Sequence, residues 1–291
     1  MEPYALVIGE SLVDVVTDAG GATVERPGGS AANVAVALAR LGRPVRFVTA
    51  WADDARGAAL AEHLAASGVV LATDPHVLDR TSSAAATIGP DGSATYVFDL
   101  DWRFGPVDLR PGPPAYVHVC SIGAVLAPGA DDVLALLDRL RGQVDGPTVT
   151  YDVNARPAIT GTGPEVVGRV ESVCRRADVV KASDEDLAVL YPTLGLGEAA
   201  THLLGLGPRA VVVTRGGDGA TWYAADGTVE GTAPVTDVVD TIGAGDTFSA
   251  AVVDALWDGL DPAATVAHAA RAAAVTVSRP GADPPTRAEL G

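Results

Sequence analysis

The amino-acid sequence predicts an α/β fold in which a mainly parallel sheet is covered by helices on both faces. Two observations carry this prediction. Short apolar runs, such as Ala5–Ile8 and Ala210–Thr214, alternate along the chain with longer amphipathic segments. The runs are apolar at nearly every position, which is typical of strands that are buried on both faces of a parallel sheet.

The order of the elements follows from the hydrophobic pattern and from glycines that end helices. Gly42, Gly68 and Gly259 lie where three amphipathic segments stop, which is a frequent position for glycine. Strands are predicted at Ala5–Ile8, 45–50, Tyr116–Cys120, Thr148–Asp152, 178–181 and Ala210–Thr214. Helices are predicted at 30–41, 55–67, 131–141, 164–176 and 249–257.

Two pairs of short β-like runs interrupt this alternation early in the chain. The runs 13–17 and 22–25 flank Gly20-Gly21, and the runs 82–88 and 93–98 flank the turn sequence 89–92. Two such hairpins can form a small separate sheet that acts as a lid beside the strand ends. They can equally be surface decoration, and the local sequence does not decide between the two.

Composition and charge predict a globular protein that does not bind nucleic acid. The chain has 291 residues, 48% hydrophobic and 20% charged, which suits one large domain over residues 1–291. Its 20 Lys and Arg against 37 Asp and Glu give a formal net charge of −17. Such an acidic chain is a poor match for a phosphate backbone, although local donors can still hold a small anion.

The cysteines and the apolar runs indicate the cellular compartment of the protein. Cys120 and Cys174 are far apart in the sequence and lie in apolar surroundings, which favours a reducing compartment over a disulfide framework. No apolar run reaches the roughly 18–20 residues that a membrane helix needs, and the N-terminus lacks the pattern of a signal peptide. We therefore expect a cytoplasmic protein with no membrane partner.

Several common catalytic mechanisms are excluded by the residues themselves. Lys181 is the only lysine and follows Val180, so the Gly-Lys-Ser/Thr sequence of a P-loop is absent. The five histidines form no H-E-x-x-H zinc motif, and no serine lies in G-x-S-x-G.

The most informative stretch is Asp240-Thr-Ile-Gly-Ala-Gly-Asp246, directly before a predicted helix. Gly243, Ala244 and Gly245 let the backbone approach an anion closely, and the free N–H groups at a helix start favour negative charge. Asp246 alone would be an ordinary acid at a helix start. Beside a group of backbone donors, it is placed to deprotonate a hydroxyl next to a transferring phosphoryl group.

A second group of polar residues lies near the start of the chain. Gly28 and Gly29 precede the first long helix, Asn33 lies one turn into it, and Asp14 follows the first strand. Carboxylate and amide groups around a glycine turn suit the recognition of sugar hydroxyls.

Three further polar clusters, 152–156, 181–186 and 214–219, each follow a predicted strand. In an open parallel sheet, ligands bind outside the carboxyl ends of the strands, so these clusters are candidates for the same crevice.

These motifs resemble those of the ribokinase-like (PfkB-type) sugar kinases along nearly the whole chain. The run Gly-Gly-Ser-Ala-Ala-Asn-Val-Ala at 28–35 looks like the first signature of the family, and the run from Asp240 to Asp246 looks like the second. The Asp-Val-Asn-x-Arg-Pro run at 152–157 favours the fructokinase-like branch. The resemblance implies a three-layer sandwich with a mainly parallel central sheet and a small β lid, made by hairpins at about 12–27 and 80–104.

The resemblance also implies roles for individual residues. Asp246 would be the catalytic base, with Gly243, Ala244 and Gly245 as the anion hole. Asp14, Gly28, Gly29, Asn33 and Arg156 would hold the sugar. ATP with Mg2+ would lie along Lys181, Ser183, Asp186, Thr214, Gly216 and Gly219. A monovalent cation, K+, would be held by Asp240 and by carbonyls of Ile242, Thr276, Arg279 and Gly281.

Three residues depart from the pattern of the family. Many members carry Asn-x-x-Glu near the phosphates, where this chain has Ser183 and Asp186. Trp51 stands where a small residue is expected, and it either narrows the sugar pocket or packs in the core. The lid edges of the family often pair, so the resemblance also implies a homodimer through the lid.

The sequence thus predicts a carbohydrate kinase that transfers phosphate from ATP to a primary hydroxyl of a small free sugar. A ketohexose such as fructose is the first candidate, and ribose, 2-keto-3-deoxygluconate and a nucleoside are the alternatives. A catalytically silent sugar- or nucleotide-binding protein is the alternative of another class, which the presence of Asp246 disfavours.

Overall fold

The computed structural model describes residues 2–89, 94–110 and 112–291. No helix in these ranges combines the length and the apolar character that crossing a membrane requires.

The strands are β1 (Ala5–Ile8), β2 (Leu12–Thr17), β3 (Thr23–Gly28), β4 (Val45–Val48), β5 (Val70–Leu71), β6 (Ser83–Ile88), β7 (Ala94–Asp99), β8 (Tyr116–Cys120), β9 (Thr148–Asp152), β10 (Val179–Ser183), β11 (Ala210–Thr214), β12 (Ala220–Ala224) and β13 (Gly227–Gly231). The helices are α1 (Ser30–Arg40), α2 (Ala55–Ala66), α3 (Gly129–Arg141), α4 (Pro157–Thr160), α5 (Pro164–Cys174), α6 (Asp184–Leu190), α7 (Leu196–Leu204), α8 (Ala244–Trp257), α9 (Pro262–Val277) and α10 (Arg287–Leu290).

The large sheet has nine strands in the order β13-β12-β11-β10-β9-β8-β1-β4-β5. The seven strands from β11 to β5 pair in parallel, and β12 and β13 add an antiparallel edge. The predicted α/β fold with a mainly parallel sheet is therefore confirmed. Four strands, β1, β8, β9 and β11, have the predicted bounds, whereas β4 ends two residues earlier and β10 is shifted by one or two residues toward the C-terminus.

Helices bury both faces of this sheet. Along β1, Leu6 and Ile8 pack into a core with α3, α5, α6 and α7. The alternating residues Ala5 and Val7 pack on the other side, in a core built from α1, α2 and α8, which α8 and α9 extend. Both faces of the strand are apolar because both faces are covered.

Helix α8 runs through the interior and carries polar residues into it. Every residue from Asp246 to Ala255 is buried, which is the pattern of a core helix. The helix begins at Ala244, whereas the sequence predicts a start at 249. Its first turn, Ala-Gly-Asp-Thr-Phe, has no apolar periodicity, and the left-handed Gly243 (φ 75°) precedes it as the N-cap.

A second sheet of four strands, in the order β3-β2-β6-β7, is called the lid sheet below. It combines the two predicted hairpins, because β2 pairs with β6 in parallel. Along β2, Val13 and Val15 are buried against the α/β body, whereas Asp14 and Val16 are exposed. The tip of the turn predicted at 89–92 lies outside the described residues from position 90 onward.

Candidate active site

The candidate site lies where the strand order of the large sheet reverses. The chain continues from β1 to β4 on one side, whereas β8 and the later strands lie on the other. Such a switch point leaves a crevice at the carboxyl ends of the strands. Glu10 follows β1 at this crevice and accepts hydrogen bonds from the backbone N–H groups of Ser30 (3.2 Å) and Gly123 (3.0 Å).

Asp246 enters the crevice from the first turn of α8 and is 7% exposed. Its Oδ1 accepts a hydrogen bond from Ser30 Oγ at 2.7 Å, and its Oδ2 accepts one from Asn33 Nδ2 at 2.8 Å. Burial raises the pKa of this carboxyl above its usual range, and the two hydrogen bonds oppose that shift because they favour the ionised form. The result is a partly desolvated carboxylate, which is suited to accept a proton.

The turn from Gly243 to Gly245 has the geometry of an anion hole. A Cβ on Gly243 would lie 2.6 Å from the Cβ of Ala282, and its φ of 75° is left-handed, so both space and backbone require glycine. The first N–H groups of α8 lack acceptors within the helix and carry the positive end of its dipole. A Cβ on Gly245 would lie 3.2 Å from Lys181 Nζ, so the ammonium group lies against this turn.

Lys181 is held in place by a buried carboxylate. Its Nζ lies 3.1 Å from Asp152 Oδ2, which also accepts a hydrogen bond of 2.7 Å from Ser249 Oγ. Asp152 is fully buried, and burial raises its pKa to about 6 although Lys181 opposes the shift. Burial lowers the pKa of Lys181, but the nearby carboxylates, Asp152 first, outweigh it and leave that pKa above its ordinary value. The lysine is thus a fixed positive charge beside the anion hole.

The residues predicted to hold a sugar lie together on the lid side of Asp246. Asp14 and Arg26 are directly opposite each other in the lid sheet, and a Cβ on Gly28 would overlap the carboxylate of Asp14. Asn33 reaches Asp246 itself. The positive charge of Arg156 lowers the pKa of both Asp14 and Asp246, although desolvation leaves both pKa values raised.

The predicted nucleotide residues lie at the carboxyl ends of two neighbouring strands. Ser183 of β10 pairs with Thr214 of β11, and the turn that contains Gly216 and Gly219 follows Thr214. Gly219 has a φ of 90° and packs on the backbone of Gly231, which leaves no space for a side chain.

Asp186 has a structural function in addition to any function in binding. It forms a capping box with Ser183 at the start of α6, where its Oδ2 accepts the Ser183 N–H at 2.8 Å. Its Oδ1 accepts the N–H of Ala155 at 2.7 Å, which ties the loop after β9 to α6. Both oxygens are thus engaged by backbone donors.

The residues predicted to hold a monovalent cation form one junction between two loops. Asp240 accepts hydrogen bonds from the N–H groups of Ile242 (3.0 Å) and Gly281 (2.9 Å). Thr276 is buried, and its hydroxyl donates to Thr247 on α8 at 2.9 Å. The side chain of Arg279 turns away toward Asp283 and Glu289, so only its carbonyl is a candidate ligand.

Sequence reasoning assigned no role to four residues of this site: Glu10, Ser30, Asn154 and Ser249. Ser30 and Asn154 lie inside runs that the sequence analysis singled out, but nothing in those runs shows that they contact Asp246. Ser249 lies one turn after Asp246, and Glu10 is an acid directly after a buried strand. Their contacts depend on how three distant segments meet.

Trp51 packs in the core beside α1 and α2, which fits the second of the two expectations for this residue. It is 1% exposed, and its ring lies edge-on to His76 at 6.3 Å between centroids. Gly57 provides the space, because a Cβ there would lie 2.6 Å from Trp51 Cδ1.

The architecture and the buried acid beside a glycine turn define the class of ribokinase-like kinases. The profile of the pfkB family carbohydrate kinases matches residues 3–289. This chain therefore belongs to the pfkB family, and it is a sugar kinase.

Named relatives agree with this assignment. A fructokinase from Rhizobium leguminosarum bv. trifolii is 33% identical over 261 residues, which cover 86% of this chain and 79% of that one. An aminoimidazole riboside kinase from Salmonella typhimurium is 30% identical over 287 residues, which cover 95% and 89%. The crystal structure of a fructokinase with bound ATP from Xylella fastidiosa superposes with a TM-score of 0.82 at 27% identity and covers 100% of this chain and 97% of that one. The predicted membership of the fructokinase-like branch is thus confirmed at the level of homology.

Proposed function

We propose that this sugar kinase uses ATP to phosphorylate a primary hydroxyl of a small free sugar, with a ketohexose such as fructose as the first candidate. The observation that carries the proposal is the buried carboxylate of Asp246 beside the turn 243–245. A fructokinase at 33% identity and the ATP-bound fructokinase with a similar fold support the choice of sugar and of donor.

In this mechanism, Asp246 accepts the proton of the sugar hydroxyl as that oxygen attacks the γ-phosphorus of ATP. The new oxygen–phosphorus bond forms as the bond from phosphorus to the β,γ-bridging oxygen breaks, and ADP leaves. The N–H groups of the turn 243–245 donate to the transferring phosphoryl oxygens, and Lys181 adds positive charge beside them. Asn33, on α1, lies beside the carboxylate and donates to the sugar.

The donor set is compatible with Mg2+ held largely by the nucleotide. No group of three or more His, Cys, Asp or Glu side chains able to hold a metal occurs among the described residues. Mg2+ characteristically uses one or two carboxylates and substrate phosphates, and it neutralises phosphate charge. Asp186 is the candidate carboxylate, and its two backbone contacts favour an interaction through water.

K+ would lie at the junction of the loops of Asp240 and Gly281, where backbone carbonyls are available. The carbonyls of Thr276 and Gly281 already accept the N–H groups of Arg279 and Asp283, so a cation would use their second lone pairs. Asp240 orders both loops and so keeps them beside the anion hole. We expect a higher turnover in potassium than in tetramethylammonium salts of equal ionic strength.

The charges around the sugar residues favour an unphosphorylated acceptor. A phosphate group requires clustered Arg or Lys, as its two extra charges must be neutralised. Arg103 is not available for this, because its Nε donates to the carbonyl of Val77 at 3.1 Å and its Nη2 lies 3.4 Å from Asp101. Arg26 and Arg156 are exposed; the Arg26 guanidinium lies toward Gly281 and Asp240, whereas Asp14 neutralises part of the charge of Arg156.

A riboside is the second candidate for the acceptor. It is favoured by the 30% identity to an aminoimidazole riboside kinase over 95% of this chain. Fructose and a riboside both present a primary hydroxyl, and the chemistry at Asp246 is the same for both.

A turnover assay with ATP and Mg2+ tests the proposal. The panel contains fructose, ribose, aminoimidazole riboside, 2-keto-3-deoxygluconate, fructose 1-phosphate and fructose 6-phosphate. We expect the highest kcat/KM for fructose, and a higher value for a phosphate ester would overturn the assignment of a free sugar. Asp246→Asn should lower kcat by roughly 100-fold or more while sugar and ATP still bind, because a general base has been removed.

The lid sheet also provides a surface for a second copy of the chain. Val24, Val16, Ala86 and Tyr96 are paired in one row across the four strands, so their side chains share one face. Val16, Val24 and Tyr96 are 44%, 51% and 60% exposed. We propose that two copies pair through this apolar face, which would cover it.

A further inference from the structure

A directed pair of hydrogen bonds leads from the loop after β9 to Asp246. Asn154 Nδ2 lies 2.8 Å from Ser30 Oγ, and Ser30 Oγ lies 2.7 Å from Asp246 Oδ1. Asn154 Nδ2 also lies 3.5 Å from that same Oδ1. Since the amide nitrogen can only donate, Ser30 Oγ is its acceptor and the hydroxyl proton of Ser30 is available to Asp246.

Both residues are fixed by contacts that have no direct part in phosphate transfer. Ser30 is 8% exposed, is the first residue of α1 and donates its backbone N–H to Glu10. Asn154 has a φ of 37°, a left-handed conformation that costs energy in a residue with a side chain. Its carbonyl accepts a hydrogen bond from Ser121 Oγ at 3.2 Å. The strain is retained at the point where the amide meets Ser30.

The charges that face Asp246 make such donors important. Cys120, which ends β8, is a neutral thiol because burial raises its pKa. Glu10 after β1 and Asp152 at the end of β9 are the neighbouring carboxyls, and each disfavours a further negative charge when it is ionised. Lys181 on β10 and Arg156 in the loop after β9 favour it. Asn33 on α1 is the other direct donor to Asp246, but it also belongs to the proposed sugar set.

We propose that Ser30 and Asn154 are positioning residues that hold Asp246 ionised and oriented for proton abstraction, with Asn154 acting through Ser30. This inference rests on the proposed function of Asp246 as the base. Two residues on different elements thus order the base, so that Asn33 is free to exchange its hydrogen bond to Asp246 for one to the sugar.

The test compares Ser30→Ala with the wild type over pH 5–9, at saturating ATP and Mg2+. Loss of a hydrogen bond to the ionised form raises the pKa of Asp246, so the acidic limb of kcat/KM should move to higher pH. Turnover at pH 6 should fall about tenfold, the scale for a hydrogen bond to a charged group, and KM for ATP should not change. Ser30→Thr restores a hydroxyl and should return the limb toward the wild-type position.

Asn154→Gly removes the amide but keeps the left-handed backbone without strain. It should also move the acidic limb of the kcat/KM profile to higher pH, by a smaller amount than Ser30→Ala does. Because the two residues act in series, the double variant Ser30→Ala/Asn154→Gly should resemble Ser30→Ala alone. Fully additive losses would overturn the series arrangement. Asn154→Gly also tests the inference if Ser30→Ala folds poorly.

Two further variants separate the possible failures. Ser11→Ala removes another buried hydroxyl, which contacts Thr49 at 2.8 Å, and its pH profile should match that of the wild type. If Asp246→Asn retains turnover, the proposed base is wrong. If Asp246→Asn is inactive while Ser30→Ala keeps the wild-type rate and the wild-type acidic limb of the pH profile, Asp246 is the base but the positioning inference is wrong.

Discussion

At the scale of single residues, the site concentrates buried acids around one lysine. Glu10, Asp152 and Asp246 are 5%, 0% and 7% exposed, and Lys181 is 6% exposed. Burial raises the pKa of all three carboxyls, and hydrogen-bond donors to each carboxylate partly oppose that shift. When ionised, Asp152 and Asp246 together outweigh the single positive charge of Lys181, so the site should accept further positive charge with the nucleotide.

Glu10 gives a pH dependence of stability that can be measured. Its pKa is raised from 4.5 to about 7 by burial, so the folded protein keeps this proton over a range in which the unfolded chain loses it. The free energy of unfolding should therefore fall as pH rises through this range, by about 3 kcal/mol from this group. Urea unfolding at pH 4.5, 5.5, 6.5 and 7.5 measures the change.

Glu10→Gln is the comparison for this prediction, because other titrating groups contribute equally to both proteins. The difference in unfolding free energy between wild type and variant should shift steadily in favour of the variant as pH rises, and become constant above about pH 7. Parallel curves across the whole range would show that Glu10 titrates normally.

The pair of Asp152 and Lys181 should affect stability and turnover separately. Lys181→Met leaves a buried carboxylate without its counter-charge, which typically costs about 3–5 kcal/mol. It also removes the positive charge beside Gly245, so kcat should fall. Chemical unfolding and steady-state kinetics measure the two effects.

The double variant Lys181→Met/Asp152→Asn distinguishes these effects. It removes both charges and keeps a hydrogen-bond partner for Ser249, so most of the lost stability should return. The low kcat should remain, because the charge at the anion hole is still absent. A kcat that recovers together with stability would mean that Lys181 acts only on folding.

At the scale of elements, two helix starts bring the candidate catalytic groups together. The first turn of α8 brings Asp246 and the proposed anion hole into the crevice, and the first turn of α1 brings Ser30 and Asn33 against the same carboxylate. Neither start has a side-chain cap, and both are preceded by a glycine with positive φ. The start of α1 is occupied by Glu10, which accepts the Ser30 N–H, whereas the start of α8 is the candidate site for an anionic ligand.

Gly28→Ala tests the junction between β3 and α1. The new Cβ would overlap Asp14 Oδ2 and displace that carboxylate from the cleft. We expect KM for the sugar to rise by roughly 5- to 150-fold, on the scale of a lost polar contact of about 1–3 kcal/mol, with KM for ATP unchanged.

Gly168→Ala is the matched control for this change. It lies within α5, and a Cβ there would meet no atom within 4 Å, so it should leave the kinetics unchanged and raise stability slightly. A sugar KM in Gly28→Ala equal to that of this control would contradict the placement of Asp14 in the sugar site.

At the scale of the whole molecule, the site depends on two sheets meeting. The large sheet supplies the crevice at its switch point, and the lid sheet supplies Asp14 and Arg26 from above it. The lid packs on the body through Val13 and Val15 on one face and leaves the other face exposed. A second copy of the chain on that exposed face would stiffen the lid as well as cover its apolar row.

Sedimentation velocity tests this pairing. Tyr96→Asp places a charge in the apolar row and should convert a dimer to monomers. Val97→Asp is the control, because the neighbouring residue on β7 is 63% exposed and lies on the opposite face. A wild-type protein that is monomeric at micromolar concentration, or equal dissociation of both variants, would contradict the proposed dimer.

The sequence by itself determined the fold class and singled out Asp246 as the candidate base. Buried parallel strands are apolar on both faces, so the runs Ala5–Ile8 and Ala210–Thr214 were recognisable without any contact information. The glycines around Asp246 were equally informative, because few arrangements require small residues, a helix start and an acid together. The same signals led to the family to which the profile assigns the chain.

Only the tertiary structure decided what surrounds that base. Ser30, Asn154 and Asp246 are separated by more than 90 residues from one another, and no periodicity relates them. The sequence placed Gly243–Gly245 at a helix start, but its apolar pattern marked the helix only from 249, because the first turn of α8 has no apolar periodicity. Hydrophobic patterns record burial along one segment, whereas a polar contact between segments depends on packing that no single segment encodes.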